Sequence, residues 1–283
     1  MSALRLTLTS RPAQPVDLSP LLPQRLAGMT RSEIGALELA SGNRRLRVDQ
    51  LFSIAGDPGP ALEIRDGCGL LQGVGAGMTQ GDIVVRGDVG AYLGAGMTGG
   101  TVTVHGNAGA FAASGMRDGE IRIGGDTGDF LGAALPGDHQ GMRGGVVLVG
   151  GNVGDRAGDR MRRGALLIEG NAGDYCASRM VAGTLAVWGT VGRFPGLAMR
   201  RGTLLLQQPP AALPPTFNES GTFPFTFLTL LARAWRTLPG LFGTLPESGL
   251  QYQRFMGDLA NDGRGEILIL ARAPRARRKA SKA

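Results

Sequence analysis

Lysine is nearly missing from these 283 residues: Lys279 and Lys282 are the only two. Cysteine and histidine are as scarce, with Cys68, Cys176, His105 and His139 the complete set. The cysteines lie more than a hundred positions apart and neither belongs to a CxxC pair. Iron–sulfur clusters and structural zinc sites draw on several thiolates or imidazoles, so a metal site built by this chain alone is not expected. Aromatic residues make up only 5%, so any core must be filled by Val, Ile, Leu, Ala and Met. The longest apolar stretch, FPFTFLTLLARAW, is broken by Arg233 and is too short to span a bilayer. The opening MSALRLTLTSRPAQP lacks a charged segment followed by a long apolar run, so no signal peptide is read and a cytoplasmic location is expected.

Glycine is what the sequence has in excess, 48 of 283, without the every-third-residue spacing of collagen. A longer period organises it. Met78, Met97, Met116, Met142, Met161, Met180 and Met199 follow one another at intervals of 19, 19, 26, 19, 19 and 19. The long interval is one repeat plus a seven-residue insertion near LPGDHQG, 135–141. Three positions after each Met stands Gly, and at five and seven stand aliphatic pairs such as Ile83/Val85, Val102/Val104 and Ile121/Ile123. Gly also holds positions nine and twelve in six consecutive repeats, for example Gly106 and Gly109.

Aliphatics two apart share one face of a strand. Nineteen residues leave no room for a helical crossover between parallel strands, which needs about thirty. The remaining solution is a coil in which each repeat makes one turn and pairs in parallel with the next. The expected fold is therefore all-β, a right-handed parallel β-helix, its hand taken from the usual hand of parallel crossovers. A degenerate first turn is expected over 61–77, with Leu62 and Ile64 in the strand positions.

The expected organisation is an N-terminal flank over 1–60, the repeat domain over 61–207, a helical C-terminal flank over 208–270 and a disordered basic tail over 271–283. In the first flank, LRLTLT alternates like a strand, a short helix is expected near Arg31–Leu39, and GNRRLRVDQLF reads as a strand pair. In the second, Phe227, Leu230, Leu231, Ala234, Trp235 and Leu238 fall at helical spacing.

Position ten of the repeat reads Asp88, Asn107, Asp126, Asn152, Asn171, Thr190, an expected ladder of Asx turns. A calcium stack is the alternative, but the period does not fit, and the Asn dilution relieves repulsion between stacked Asp. The Met column reads as core rather than as a metal ladder. Neither histidine shares its repeat with a nucleophile or a carboxylate pair, so no catalytic residue is assigned.

Charge is distributed unevenly. Residues 61–140 hold four Arg against nine acids, whereas residues 141–207 hold nine Arg against four. Arg160, Arg162, Arg163, Arg179, Arg200 and Arg201 all flank the Met column, so stacking should gather them on one edge. Such a column is either a solvated face or a dock for an acidic surface or anionic ligand. A self-contained carbohydrate-active β-helix enzyme would need clustered carboxylates on a strand face, and nucleic-acid binding would want a recognised motif or an aromatic platform. Neither is found, so no nucleic-acid partner and no membrane partner are expected.

The repeat GMxxGxIxVxGDVG resembles the GXGXG solenoid domain. QYQRFMGDLANDGRGEILIL (251–270) and GNRRLRVDQLFSIAGD (42–57) resemble segments of the family formed by the C subunits of formylmethanofuran dehydrogenases. The resemblance implies a noncatalytic subunit within a one-carbon complex. Two systems are implied: a formyltransferase/hydrolase complex, which moves a formyl group from formyl-tetrahydromethanopterin to a methanofuran-type carrier and hydrolyses it to formate, and the tungsten or molybdenum formylmethanofuran dehydrogenase. The Arg-dominated composition favours the first, a bacterial system. The implied partners are formyltransferase, amidohydrolase-like and dehydrogenase-B-like subunits, with no cofactor bound by this chain alone. The implied carrier bears a glutamate-rich tail, a candidate ligand for the arginine edge.

Overall fold

The computed structural model describes residues 3–271; the tail expected to be disordered lies outside them, apart from Ala271. Thirteen strands form one long sheet. Its central ladder is parallel and runs rung by rung through Ala61–Gly67, Asp82–Gly87, Thr98–Val104, Asp118–Ile123, Arg143–Val149, Arg163–Ile168, Thr184–Val187 and Thr203–Leu206. The register is the one the repeat dictates. Leu62, Ile83, Val102, Ile121, Val147, Leu166, Leu185 and Leu204 stand opposite one another in turn. A second, shorter column of single bridges links Ala108, Thr127, Val153, Ala172 and Val191 on the opposite wall of the coil. Between the walls the seven repeat methionines are completely buried, as the packing of an unbranched, flexible side chain into irregular space requires. Cys176 belongs to this interior, where burial pushes its thiol up to about 12 and leaves it unreactive.

The repeat glycines serve two separate needs. Those at position three have positive φ, as at Gly100 with φ 86°. Those at positions nine and twelve, Gly87 apart, do not; they let rungs touch. A Cβ on Gly106 would sit 2.6 Å from the Gly87 carbonyl oxygen of the preceding turn.

The Asx column works across rungs rather than within its own turns, which corrects the Asx-turn expectation. The Asp88 carboxylate accepts from the Asn107 N–H at 2.7 Å, Asn107 Oδ1 from the Asp126 N–H at 2.8 Å, and so on to Thr190. The side chain thus satisfies a backbone donor that the corner leaves without a strand partner. A parallel column, Asp129, Asp155 and Asp174, does the same three positions further on.

Next to it stands a column absent from the sequence expectations: Tyr92, Phe111, Phe130, Arg156, Tyr175 and Phe194, all with φ between 58° and 65°. Tyr92, Phe111 and Phe130 stack at 5.6 and 4.7 Å, Arg156 lies over the Tyr175 ring at 4.7 Å, and Tyr175 stacks on Phe194 at 5.3 Å.

The flanks extend the sheet. Leu4–Leu8 pairs in parallel with Ala61–Gly67 and in antiparallel with Phe52–Ala55, closing the N-terminal end. The helix expected to reach Leu39 spans Arg31–Ala36, started by a capping box between Thr30 and Glu33. GNRRLRVDQLF does not fold as a strand pair. Arg44–Arg47 pairs with Glu38–Ser41, a one-turn helix Val48–Leu51 intervenes, and Phe52–Ala55 joins the main sheet.

The C-terminal flank, read as helical, holds one ten-residue helix, Thr226–Trp235, and three strands. Gly265–Leu270 adds the next parallel rung beside Thr203–Leu206, and Tyr252–Gly257 and Asn218–Phe223 follow it in antiparallel. The helix covers the outer face of the later rungs. Leu148, Leu167, Ala186, Leu205 and Leu268 meet Trp235, Leu238 and Phe242 there. Its buried stripe includes Ala232 and Trp235, while Leu230 and Ala234 of the expected stripe face solvent. FLTLLA is apolar almost throughout, so spacing alone does not fix the rotation of the helix.

Candidate functional site

The coil brings the predicted arginines to one edge because each occupies the corner beside a buried Met. Arg160 and Arg179 directly precede Met161 and Met180, with φ of 57° and 52°. Arg162 and Arg163 follow Met161, and Arg200 and Arg201 follow Met199. They line two adjoining grooves. The first is lined by Arg162, Arg163, Arg200 and Arg201 together with Val181, Ala182, Asp262 and Arg264. The second holds Arg160, Arg179 and Arg200 with His139, Asn261 and Asp262. Arg200 and Asp262 belong to both.

The intervening rung carries Val181 and Ala182 where its neighbours carry Arg. The paired arginines therefore stand two rungs apart, about 9.6 Å. This spacing weakens their mutual repulsion and leaves a basic trough between them.

The six guanidinium groups are not equivalent. Arg179 is exposed but already paired: its Nε donates to Asp159 Oδ1 at 2.8 Å, a second contact runs to Oδ2, and Asp159 is 4% exposed. This hydrogen-bonded pairing raises the Arg179 pKa above its ordinary value. Ser178 Oγ donates to the same Asp159 oxygen at 2.9 Å, which fixes the carboxylate. Arg160 donates to the Asp138 carbonyl oxygen at 3.2 Å and stands 3.4 Å from His139 Nδ1, so the seven-residue insertion leans over the second groove. Arg162, Arg163, Arg200 and Arg201 are exposed and form no ion pair with any described residue. Arg264, also exposed, is tied to this edge through its backbone N–H, which donates to the Arg200 carbonyl oxygen at 2.7 Å.

Sequence spacing thus located the arginine edge but not its far wall. Arg264, Asp262 and Asn261 reach it from the turn that joins the last two strands, and only the extra rung Gly265–Leu270 explains why. The alternation of GEILIL was the available signal. His139 arrives with the insertion. His105 lies elsewhere, exposed at a strand end, so the two histidines do not form a common site. Among the described residues no group of three or more His, Cys, Asp or Glu is placed to hold a metal ion.

The chain matches no family model. The C subunit of the tungsten-containing formylmethanofuran dehydrogenase 2 of Methanococcus maripaludis is 30% identical over 95 residues, 33% of this chain and 35% of that protein. The C subunit of the formyltransferase/hydrolase complex Fhc of Methylorubrum extorquens is 41% identical over 78 residues, 28% of this chain and 29% of that protein. The match thus spans about a third of the length of these curated relatives. The structural likeness runs end to end. A chain in the crystal structure of the formyltransferase/hydrolase complex (FhcABCD) from Methylorubrum extorquens, in complex with methylofuran, superposes with a TM-score of 0.89. It is 41% identical, and the superposition covers 95% of this chain and 100% of that one. Identity at this level over the whole of a solved chain, with C subunits of both systems among the relatives, shows that this protein belongs to the family of C subunits of formylmethanofuran dehydrogenases and formyltransferase/hydrolase complexes.

Proposed function

We propose that this chain is a noncatalytic structural subunit of a cytoplasmic one-carbon complex. That complex transfers a formyl group from formyl-tetrahydromethanopterin to a methanofuran-type carrier and hydrolyses it to formate. The observation that carries the reading is the end-to-end likeness to a chain of the methylofuran-bound FhcABCD complex. The partners are formyltransferase, amidohydrolase-like and dehydrogenase-B-like subunits. The bacterial system is preferred to a tungsten dehydrogenase because the likeness that runs the whole length of the chain, at 41% identity, is to a chain of the formyltransferase/hydrolase complex, whereas the tungsten relatives match over about a third of the chain.

Within that assembly the arginine edge docks an acidic surface, either a partner subunit or the acidic tail of the carrier. Four exposed guanidinium groups without described internal partners, lining one groove, support this. Exposed ion pairs contribute about 0–1 kcal/mol each, so a merely solvated column tolerates neutralisation. Docked arginines do not: replacing Arg162, Arg163, Arg200 and Arg201 with Gln should weaken assembly or carrier binding by a few kcal/mol and flatten its salt dependence.

The test is to purify the protein from its native cell, identify what co-elutes, and assay formyl transfer and hydrolysis for the complex and for the isolated chain. Activity in the complex and none in the isolated chain is expected. Turnover by the isolated chain would refute the noncatalytic assignment. Unchanged binding and salt response in the quadruple variant would leave the arginine edge as a solvated face.

A further inference from the structure

Beneath the helix Thr226–Trp235, away from the arginine grooves, lies a cleft of about 180 Å³. The helix, the strand that begins at Tyr252 and the segment 245–250 enclose it. Leu205 of the last repeat rung, Leu228, Leu245 and Leu250 give it apolar walls, and Trp235 and Phe225 add ring surface. Protein interiors hold few voids larger than a water molecule, so a cleft of this size against the packed outer face of the sheet is a departure.

The lining decides what the cleft can hold. Among the described residues no Arg, Lys or His lines it, and its one carboxylate, Glu247, is already engaged. Arg233 Nε donates to Glu247 Oε2 at 2.8 Å, and Arg236 donates to Oε1. The Thr229 hydroxyl donates to the Glu247 carbonyl oxygen at 2.7 Å, which ties the helix to the segment 245–250 a second way. An anion therefore finds no cation here, and a cation finds no free carboxylate. One polar group is left over. Tyr252 lines the cleft and is 3% exposed, and its hydroxyl has no hydrogen-bond partner among the described residues. Buried polar groups are ordinarily bonded. Burial pushes the Tyr252 pKa up to about 12, so the hydroxyl keeps its proton and stays a donor in neutral solution.

We infer that this cleft binds a small neutral molecule, a single aromatic ring bearing a carbonyl oxygen that accepts a hydrogen bond from Tyr252. Size selects the ring: an apolar cavity of roughly 150 Å³ takes up benzene, whereas sites for drug-sized ligands and cofactors run to about 300–1,000 Å³. The ring packs against Trp235 and Phe225, which aromatic pairs favour in offset or edge-on contact. The absence of charge follows from the lining, and the acceptor from the unpaired hydroxyl. The site is independent of the arginine edge and of the assembly.

The test is to titrate the full-length chain with acetophenone, and with ethylbenzene as a similar shape lacking the oxygen, following the indole N–H resonance of Trp235. Both should bind saturably. Tyr252→Phe should weaken acetophenone binding about tenfold, because the carbonyl is then left unpaired, and should leave ethylbenzene binding unchanged. Ala232→Leu adds bulk at a buried residue of the wall and should abolish binding of both probes. If that variant does not fold, as read by circular dichroism, the Tyr252→Phe comparison decides alone. No saturable binding of either probe, equal losses for both in Tyr252→Phe, or binding that survives in folded Ala232→Leu overturns the inference. So does binding to the isolated chain that is lost in the native complex, which would assign the cleft to a side chain of a partner.

Discussion

Gly106→Val distinguishes the two reasons a solenoid corner demands glycine. Its φ is not positive, so the backbone conformation alone would accept a side chain. Space is the obstacle. A Cβ would lie 2.4 Å from Asp88 Oδ1, 2.6 Å from the Gly87 oxygen and 2.7 Å from the Gly87 carbon. Two of these atoms are backbone, and the third accepts the Asn107 N–H at 2.7 Å. The rungs can part only by loosening that bond and the Gly106 N–H to Gly87 carbonyl bond at 3.1 Å. Overpacking costs about 1–3 kcal/mol and each weakened hydrogen bond about 0.5–1.5 kcal/mol. The expected loss is therefore ~2–6 kcal/mol. Gly115→Ala supplies the contrast: its φ is 66° with nothing within 4 Å of the added Cβ. It should lose only the left-handed penalty, about 1 kcal/mol. Urea denaturation of the two variants beside the parent measures both. Equal losses would show that rung contact is not what selects glycine at position nine.

Other variants test other columns. Glu63 gathers Arg86, Arg5 and Arg65, and its hydrogen bonds to Arg86 and Arg5 hold its carboxyl at about 2. Because the folded pKa is depressed, its contribution is present above pH ~4.5 and is lost as pH falls toward 2; the stability gap between parent and Glu63→Gln should close over that window in acid titrations of unfolding. Val104→Asp buries an unpaired charge beside Ile123 and Val85 and should cost several kcal/mol in the same denaturation assay; an unchanged midpoint would contradict the register. Phe111→Ala removes the ring stacked between Tyr92 and Phe130 while keeping the left-handed backbone, so in urea denaturation Phe111→Gly should prove at least as stable as the Ala variant, the reverse of the usual order.

What the sequence made legible follows from what repeats. The Met, Gly and aliphatic positions recur seven times, and each recurrence constrains the same short stretch of backbone, so the parallel register of Val85, Val104 and Ile123 could be read directly. The flanks offer each pattern once. LRLTL alternates well enough to show a strand, yet nothing local says that it will pair with Ala61–Gly67 as an earlier rung. GEILIL and YQRFMG were eclipsed by the stronger helical stripe upstream of them, although their alternation is that of strands. The aromatic column escaped for another reason: left-handed backbone suggests Gly or Asn, and large aromatics in that conformation are paid for only by stacking on the next rung, which a single repeat does not reveal.

In a coil whose every turn repeats one geometry, function is written in the departures from the repeat. Position six shows this most clearly. In the early rungs it holds Val84, Thr103 and Arg122; in the later ones it holds Leu148, Leu167, Ala186 and Leu205. Alternation predicts that this position faces outward, so an apolar run there requires a cover, and the C-terminal helix provides it. The change occurs at the seven-residue insertion, where the charge balance also reverses from acidic to basic. Two surface properties changing at one rung, while the core pattern continues through it, separate what holds the solenoid together from what it presents. The core runs through the whole coil, whereas the arginine grooves and the covering helix both belong to the later half.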